Sequence, residues 1–92
     1  MTATSETVVI VNKRGLHARA SAKFVNHVSE LPEHLEICVS KDGTQAAGGS
    51  ILGLMMLGAA MGDSIAISVC GEGAETALAG LVNLVRTGFG EE

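Results

Sequence analysis

The sequence predicts an α+β fold, with a four-stranded antiparallel sheet covered on one face by three helices. Three observations carry this. Period-two alternation recurs in short segments, most clearly Ser64-Ile-Ala-Ile-Ser-Val-Cys70. Helical periodicity interrupts it three times, giving the order β-α-β-β-α-β-α. The strands are short and half-polar, which suits burial of one sheet face against helices.

Each element has its own local cause. Thr7 to Val11 is a β-branched run that ends at Asn12-Lys13-Arg14-Gly15, a strand followed by a turn. From His17 the period changes: Ala20, Phe24, Val28 and Leu31 recur at helical spacing, with Val25 beside them, until Pro32 ends the pattern. Leu35 to Ser40 reads as a second strand. The Asp42-Gly43 pair is a strong hairpin signal and leads into a short third strand, Thr44 to Ala47. Ser50 is a good N-cap for a short apolar helix, Ile51 to Leu57, which Gly58 stops. Ser64 to Cys70 is the fourth strand. Ala74, Ala77, Leu78, Leu81, Val82 and Val85 form the apolar face of a last helix, Ala74 to Thr87, before Gly88.

Composition bounds the function. Ninety-two residues, 47% hydrophobic and 17% charged, make one small domain spanning 1–92 with an aliphatic core, since Phe24 and Phe89 are the only aromatics. A net charge of −4 and a sheet without aromatics argue against nucleic-acid binding. The apolar stretch Ile51 to Met61 is too short and too glycine-rich to span a bilayer, and no secretory leader is visible, so a cytoplasmic protein without membrane insertion is expected. Cys38 and Cys70 read as buried free thiols.

The cations are unevenly placed. Lys13, Arg14, Arg19 and Lys23 make up four of the six and surround His17. At the N-cap of the first helix, His17 would stand beside unpaired N–H groups and the positive end of the helix dipole. That field favours a neutral, nucleophilic ring, and the N–H groups of Ala18 and Arg19 together with the Arg19 guanidinium would stabilise an anion held on it. His27, on the helix flank, and His34, after Pro32-Glu33, read as solvated. The three histidines lack metal-ligand spacing, so no metal is expected.

Gly15-Leu16-His17-Ala18-Arg19, followed by a small-residue helix start, resembles the active-site signature of HPr, the histidine-containing phosphocarrier family of the bacterial phosphotransferase system. Gly49-Ser50-Ile51-Leu52-Gly53-Leu54-Met55-Met56-Leu57 resembles that family's second signature, at the right separation. The resemblance implies an open-faced sandwich. It implies that His17 takes a phosphoryl group on Nδ1 from Enzyme I and passes it to an Enzyme IIA-type acceptor, with Arg19 steadying the phosphate. Such a protein is a covalent carrier without a cofactor, does not turn over a substrate alone, and is expected to be a monomer.

The resemblance further makes Ser50 a candidate for phosphorylation by an HPr kinase/phosphorylase. Ile51, Leu52 and Met55 form a candidate partner-docking face, because so short a helix cannot bury all its sides. Ala20 stands where the family usually has proline, and Gly49 where lysine is common. Alanine is a good helix former, so the first departure predicts a looser loop with its chemistry intact. The second removes a cation beside Ser50. The sequence does not separate the sugar-uptake branch from the nitrogen-related one. A competing reading is a regulatory binding module of the same fold that acts through the Ser50 face without phosphotransfer.

Overall fold

The computed structural model describes residues 3–91; residues 1, 2 and 92 of the expected domain span lie outside the described residues. The elements follow the expected order: β1 Ala3–Val9, α1 Ala18–Ser29, β2 Glu36–Lys41, β3 Thr44–Ala47, α2 Ile51–Met56, β4 Ser64–Cys70 and α3 Ala74–Arg86. A short 3-10 segment, Gly88–Gly90, follows α3. The sheet is antiparallel, in the order β1-β4-β2-β3.

Alternation sorts the sheet into two faces. Val8, Val39, Ala46, Ile65, Ile67 and Val69 point inward and are buried. α3 covers them over β1 and β4, and α1 lies between α2 and α3. The face of α3 named from the sequence is buried in full, as are both phenylalanines. Burying a leucine or isoleucine side chain is worth roughly 1.5–3 kcal/mol, so this single apolar layer supplies most of the driving force. The other face stays uncovered and carries small or polar side chains such as Ser5, Thr7 and Ser68.

Three expectations need correction. β1 begins at Ala3 and ends at Val9, earlier than the apolar run suggests. Its polar start is held by pairing with β4, from Ala3 opposite Cys70 to Val9 opposite Ser64, and pairing does not require apolar side chains on an exposed edge. The two thiols are free but only half-buried, because both strands turn them to the uncovered face. His27 is half-buried, not solvated: Gly80 of α3 has no side chain, and a Cβ there would press on the His27 ring. His34 is exposed as expected, with Nε2 2.9 Å from the Glu72 carbonyl oxygen.

The β1–α1 loop is zipped to the α2–β4 loop beyond the end of the sheet. Ile10 N–H donates to the Asp63 carbonyl at 2.8 Å, Gly62 N–H to the Ile10 carbonyl at 2.8 Å, and Leu16 N–H to the Ala59 carbonyl at 3.0 Å. Gly15 makes this possible. Its φ is +64°, and a Cβ on it would collide with the Ala59 carbonyl. Gly15→Ala is therefore expected to lower unfolding free energy by about 2–3 kcal/mol in urea titration, combining left-handed strain with the clash.

Candidate functional site

His17 occupies the N-cap of α1, as the sequence predicts. Its backbone is extended (φ −77°, ψ −176°), and its Nδ1 accepts the Arg19 backbone N–H at 3.3 Å. The first helical bond of α1 runs from Ser21 N–H to the His17 carbonyl at 2.9 Å. The Ala18, Arg19 and Ala20 N–H groups therefore precede any intrahelical partner. Ser21 Oγ, fully buried, donates to the Leu16 carbonyl at 3.2 Å and fixes the turn that enters the helix.

No local pattern in the chain points to the residue that meets the other ring nitrogen. Glu91 Oε2 lies 2.9 Å from His17 Nε2, 74 residues away in the chain, and the Glu91 side chain is 14% exposed. Its second oxygen, Oε1, accepts from Asn12 Nδ2 at 3.1 Å. Asn12 is itself buried, and its Nδ2 also donates to the Gly15 carbonyl at 2.9 Å. The Asn12 amide thus ties the turn before His17 to the end of the chain. It does so while its own Oδ1 is buried without a partner among the described residues, an arrangement that costs about 1–3 kcal/mol.

The chain returns to His17 through a left-handed hook. Gly88, Phe89 and Gly90 all have positive φ (+66°, +58° and +74°). A phenylalanine in this region is strained. It is retained because the ring is 2% exposed in the core and its carbonyl accepts from Lys23 Nζ at 2.8 Å. The only sequence signal for the hook was Gly88-Phe89-Gly90, an aromatic between two glycines just past a helix end.

These residues define an electropositive recess. Lys13, Arg14, Arg19, Lys23, Gly90 and Glu91 line a cavity of about 380 Å³ beside the ring. Burial acts to raise the Glu91 carboxyl, but hydrogen bonds from Asn12 and His17, with the nearby positive charge of Lys23, hold it below its ordinary value of 4.5. Glu91 is thus an ionised acceptor. The Arg19 N–H can only donate to Nδ1, so the neutral imidazole carries its proton on Nε2 and its lone pair on Nδ1.

The second group of predicted residues lies on α2, which packs beside α1. Ser50 is its N-cap, with Oγ accepting the Gly53 N–H at 2.9 Å. Leu54 and Leu57 are buried, whereas Ile51, Leu52 and Met55 are exposed, as predicted. The apolar surface extends further than the sequence suggested: Met56 is 74% exposed and Met61, in the loop zipped to the His17 turn, is 57% exposed. Among the described residues no group of three or more His, Cys, Asp or Glu is placed to hold a metal, and no helix is long and apolar enough to cross a membrane.

His17 thus sets a hydrogen-bonded Nδ1 lone pair at a helix start, with Glu91 on its other nitrogen also lining a basic recess. Comparison with known proteins gives the family. A family model described as "PTS HPr component phosphorylation site" matches residues 4–87. The chain is 41% identical over 86 residues to the phosphocarrier protein HPr of Neisseria meningitidis, covering 94% of each chain. It is 38% identical over 91 residues to the phosphocarrier protein NPr of Shewanella violacea, covering 99% of this chain and 98% of the other. The crystal structure of HPr-C-His from Thermoanaerobacter tengcongensis superposes with a TM-score of 0.88 at 39% identity, over 97% of this chain and 98% of that one. The chain belongs to the HPr family of phosphotransferase-system phosphocarriers.

The lowered Glu91 carboxyl carries a sign for stability. Its hydrogen-bonded, ionised form contributes in full above the unfolded value of 4.5, and the contribution fades as pH falls through the lower folded value. Urea unfolding of wild type and Glu91→Gln should differ at neutral pH. The difference should shrink once the pH drops below 4.5, as the carboxyl takes up its proton.

Proposed function

We propose that His17 accepts a phosphoryl group on Nδ1 from Enzyme I and hands it to an Enzyme IIA-type protein. The observation that carries this reading is the pair of contacts on the ring: Arg19 N–H at Nδ1 and the Glu91 carboxylate at Nε2. Together they leave Nδ1 as the nitrogen with a lone pair, at the end of a helix whose N–H groups can hold an anion.

In the step, the Nδ1 lone pair forms a bond to phosphorus, and the donor's bond to phosphorus breaks with its electrons leaving on the donor. Nδ1 can then no longer accept from Arg19. The N–H released from that contact becomes available to a phosphoryl oxygen, and the Ala18 N–H and the Arg19 guanidinium add to the same end of the ring. The reverse cleavage at Nδ1–P delivers the group to the acceptor.

Partner recognition on this reading is shared by two adjoining surfaces. The basic recess attracts an acidic rim, and Ile51, Leu52, Met55 and Met56 offer an apolar contact. Phosphorylation of Ser50 would add a dianion at the start of α2, where the helix dipole tolerates it, next in sequence to Ile51 and Leu52. The added charge would weaken docking by an acidic partner, which makes Ser50 a candidate regulatory site for an HPr kinase/phosphorylase.

Intact-mass spectrometry after incubation with phosphoenolpyruvate and a matched Enzyme I tests the transfer. Wild type should gain one acid-labile phosphoryl group and His17→Ala none. An adduct retained by His17→Ala would sink the assignment. Leu52→Asp should keep its fold and still be phosphorylated, with KM for the carrier in the Enzyme I reaction raised about tenfold, the effect of roughly 1.4 kcal/mol of lost docking energy.

A further inference from the structure

Several regions outside the His17 loop are open to other roles, and most end in features the proposed carrier function already uses. The sheet carries a recess of about 510 Å³ lined by residues such as Glu36, Cys38, Gln45, Ala47, Ser68 and Cys70, and nothing in the structure says what would cover it. The recess between His27, Leu31, Leu35, Glu72, Thr76 and Ala77 is largely apolar, and nothing in the structure says what would fill it. The C-terminal hook is different: its geometry points at a reacting atom.

We infer that Glu91 is a positioning residue for phosphoryl transfer, its carboxylate holding the His17 ring with the proton on Nε2 and offsetting the positive charge the ring acquires when Nδ1 is phosphorylated. This deepens the carrier reading above and rests on it. The built nature of the contact supports it. Glu91 is brought to the ring by three consecutive left-handed residues, and Phe89 accepts that strained conformation while seated in the core. Lys23 holds the hook by its Phe89 carbonyl, and the buried Asn12 amide holds the Glu91 Oε1 oxygen. A carboxylate that merely decorated the surface would need none of these.

The chemistry follows from the atom balance. Before transfer the ring is neutral, with a proton on Nε2 and a lone pair on Nδ1. As the Nδ1–P bond forms, the pair is committed to phosphorus, the proton stays on Nε2, and the ring becomes cationic. Lys13, Arg14, Arg19 and Lys23, all positive, line the recess that Glu91 also lines, and Glu91 is its one carboxylate. Four cations attract the phosphoryl group but oppose a new positive charge on the ring. Glu91, 2.9 Å from Nε2, answers that opposition at the atom that bears the proton. On onward transfer the same contact keeps the ring protonated on Nε2 while the Nδ1–P electron pair returns to Nδ1, so the leaving group departs neutral.

The test uses the full chain and two variants. In Glu91→Gln the side-chain oxygen can still accept from Nε2–H, so the tautomer is kept and only the charge is lost. In Glu91→Ala both are lost. Nitrogen-15 NMR of the unphosphorylated ring should show the Nε2–H tautomer in wild type and Glu91→Gln, and a mixture in Glu91→Ala. Phosphoryl uptake from Enzyme I and phosphoenolpyruvate should be slowed in both variants. The slowing should be greater in Glu91→Ala, where it should reach roughly ten- to hundredfold, as when a histidine loses the partner that orients it. Unfolding midpoints run in parallel separate this from a folding defect. An unchanged tautomer with unchanged uptake in both variants would overturn the role of Glu91 and leave the carrier function standing. Absence of uptake in wild type itself would instead strike the carrier reading.

Discussion

The site depends first on the antiparallel pairing of β1 with β4. Its register, ending with Val9 opposite Ser64, fixes where both strands leave the sheet. The pairing does not stop there. It continues as a ladder of loop hydrogen bonds through Ile10, Asp63 and Gly62 to Leu16 and Ala59. His17 is the next residue. The imidazole is therefore set on the end of a rigid two-stranded ribbon, although it belongs to a loop. Gly15 is the position where this ribbon is tightest, because its neighbour across the gap is backbone, which cannot move aside as a side chain can.

Electrostatics at the ring combine two opposed fields. The start of α1 makes the surroundings of Nδ1 attractive to an anion, and four cations line the recess that Glu91 shares. The Glu91 carboxylate on Nε2 acts in the other direction and is local to one atom. With Glu91 in place, each ring nitrogen has its own partner, the Arg19 N–H at Nδ1 and the carboxylate at Nε2, and the ring is held in one orientation.

α2 shows the opposite economy. With six residues it has too little surface to bury on all sides, and it spends Leu54 and the following Leu57 on the core. The remaining apolar side chains face outward, and Met61 extends them along the loop that is zipped to the His17 turn. An exposed methionine surface adapts to different partner shapes because the side chain is unbranched and polarisable. The same backbone ladder that positions His17 therefore also places an apolar surface near it, and a basic recess and an apolar patch end up on adjoining elements.

The elements themselves were legible in the chain because their causes are local. The N-caps at His17 and Ser50, the Asp42-Gly43 turn, the alternation of Ser64 to Cys70 and the apolar face of α3 each act within a few residues, and all reappear in the structure. The two signatures around His17 and Ser50 likewise lie in continuous stretches. What tertiary structure decided has partners far apart in sequence. β1 starts at Ala3 because β4 is there to pair with it, and His27 is half-buried because Gly80 of another helix leaves room for it. Glu91 reaches His17 only because Phe89 is pinned in the core and the glycines beside it permit a left-handed return. Periodicity and capping report what a residue does to its neighbours along the chain. A hydrogen bond between residues 17 and 91 depends on where the whole core puts the chain's end, and no local pattern records that.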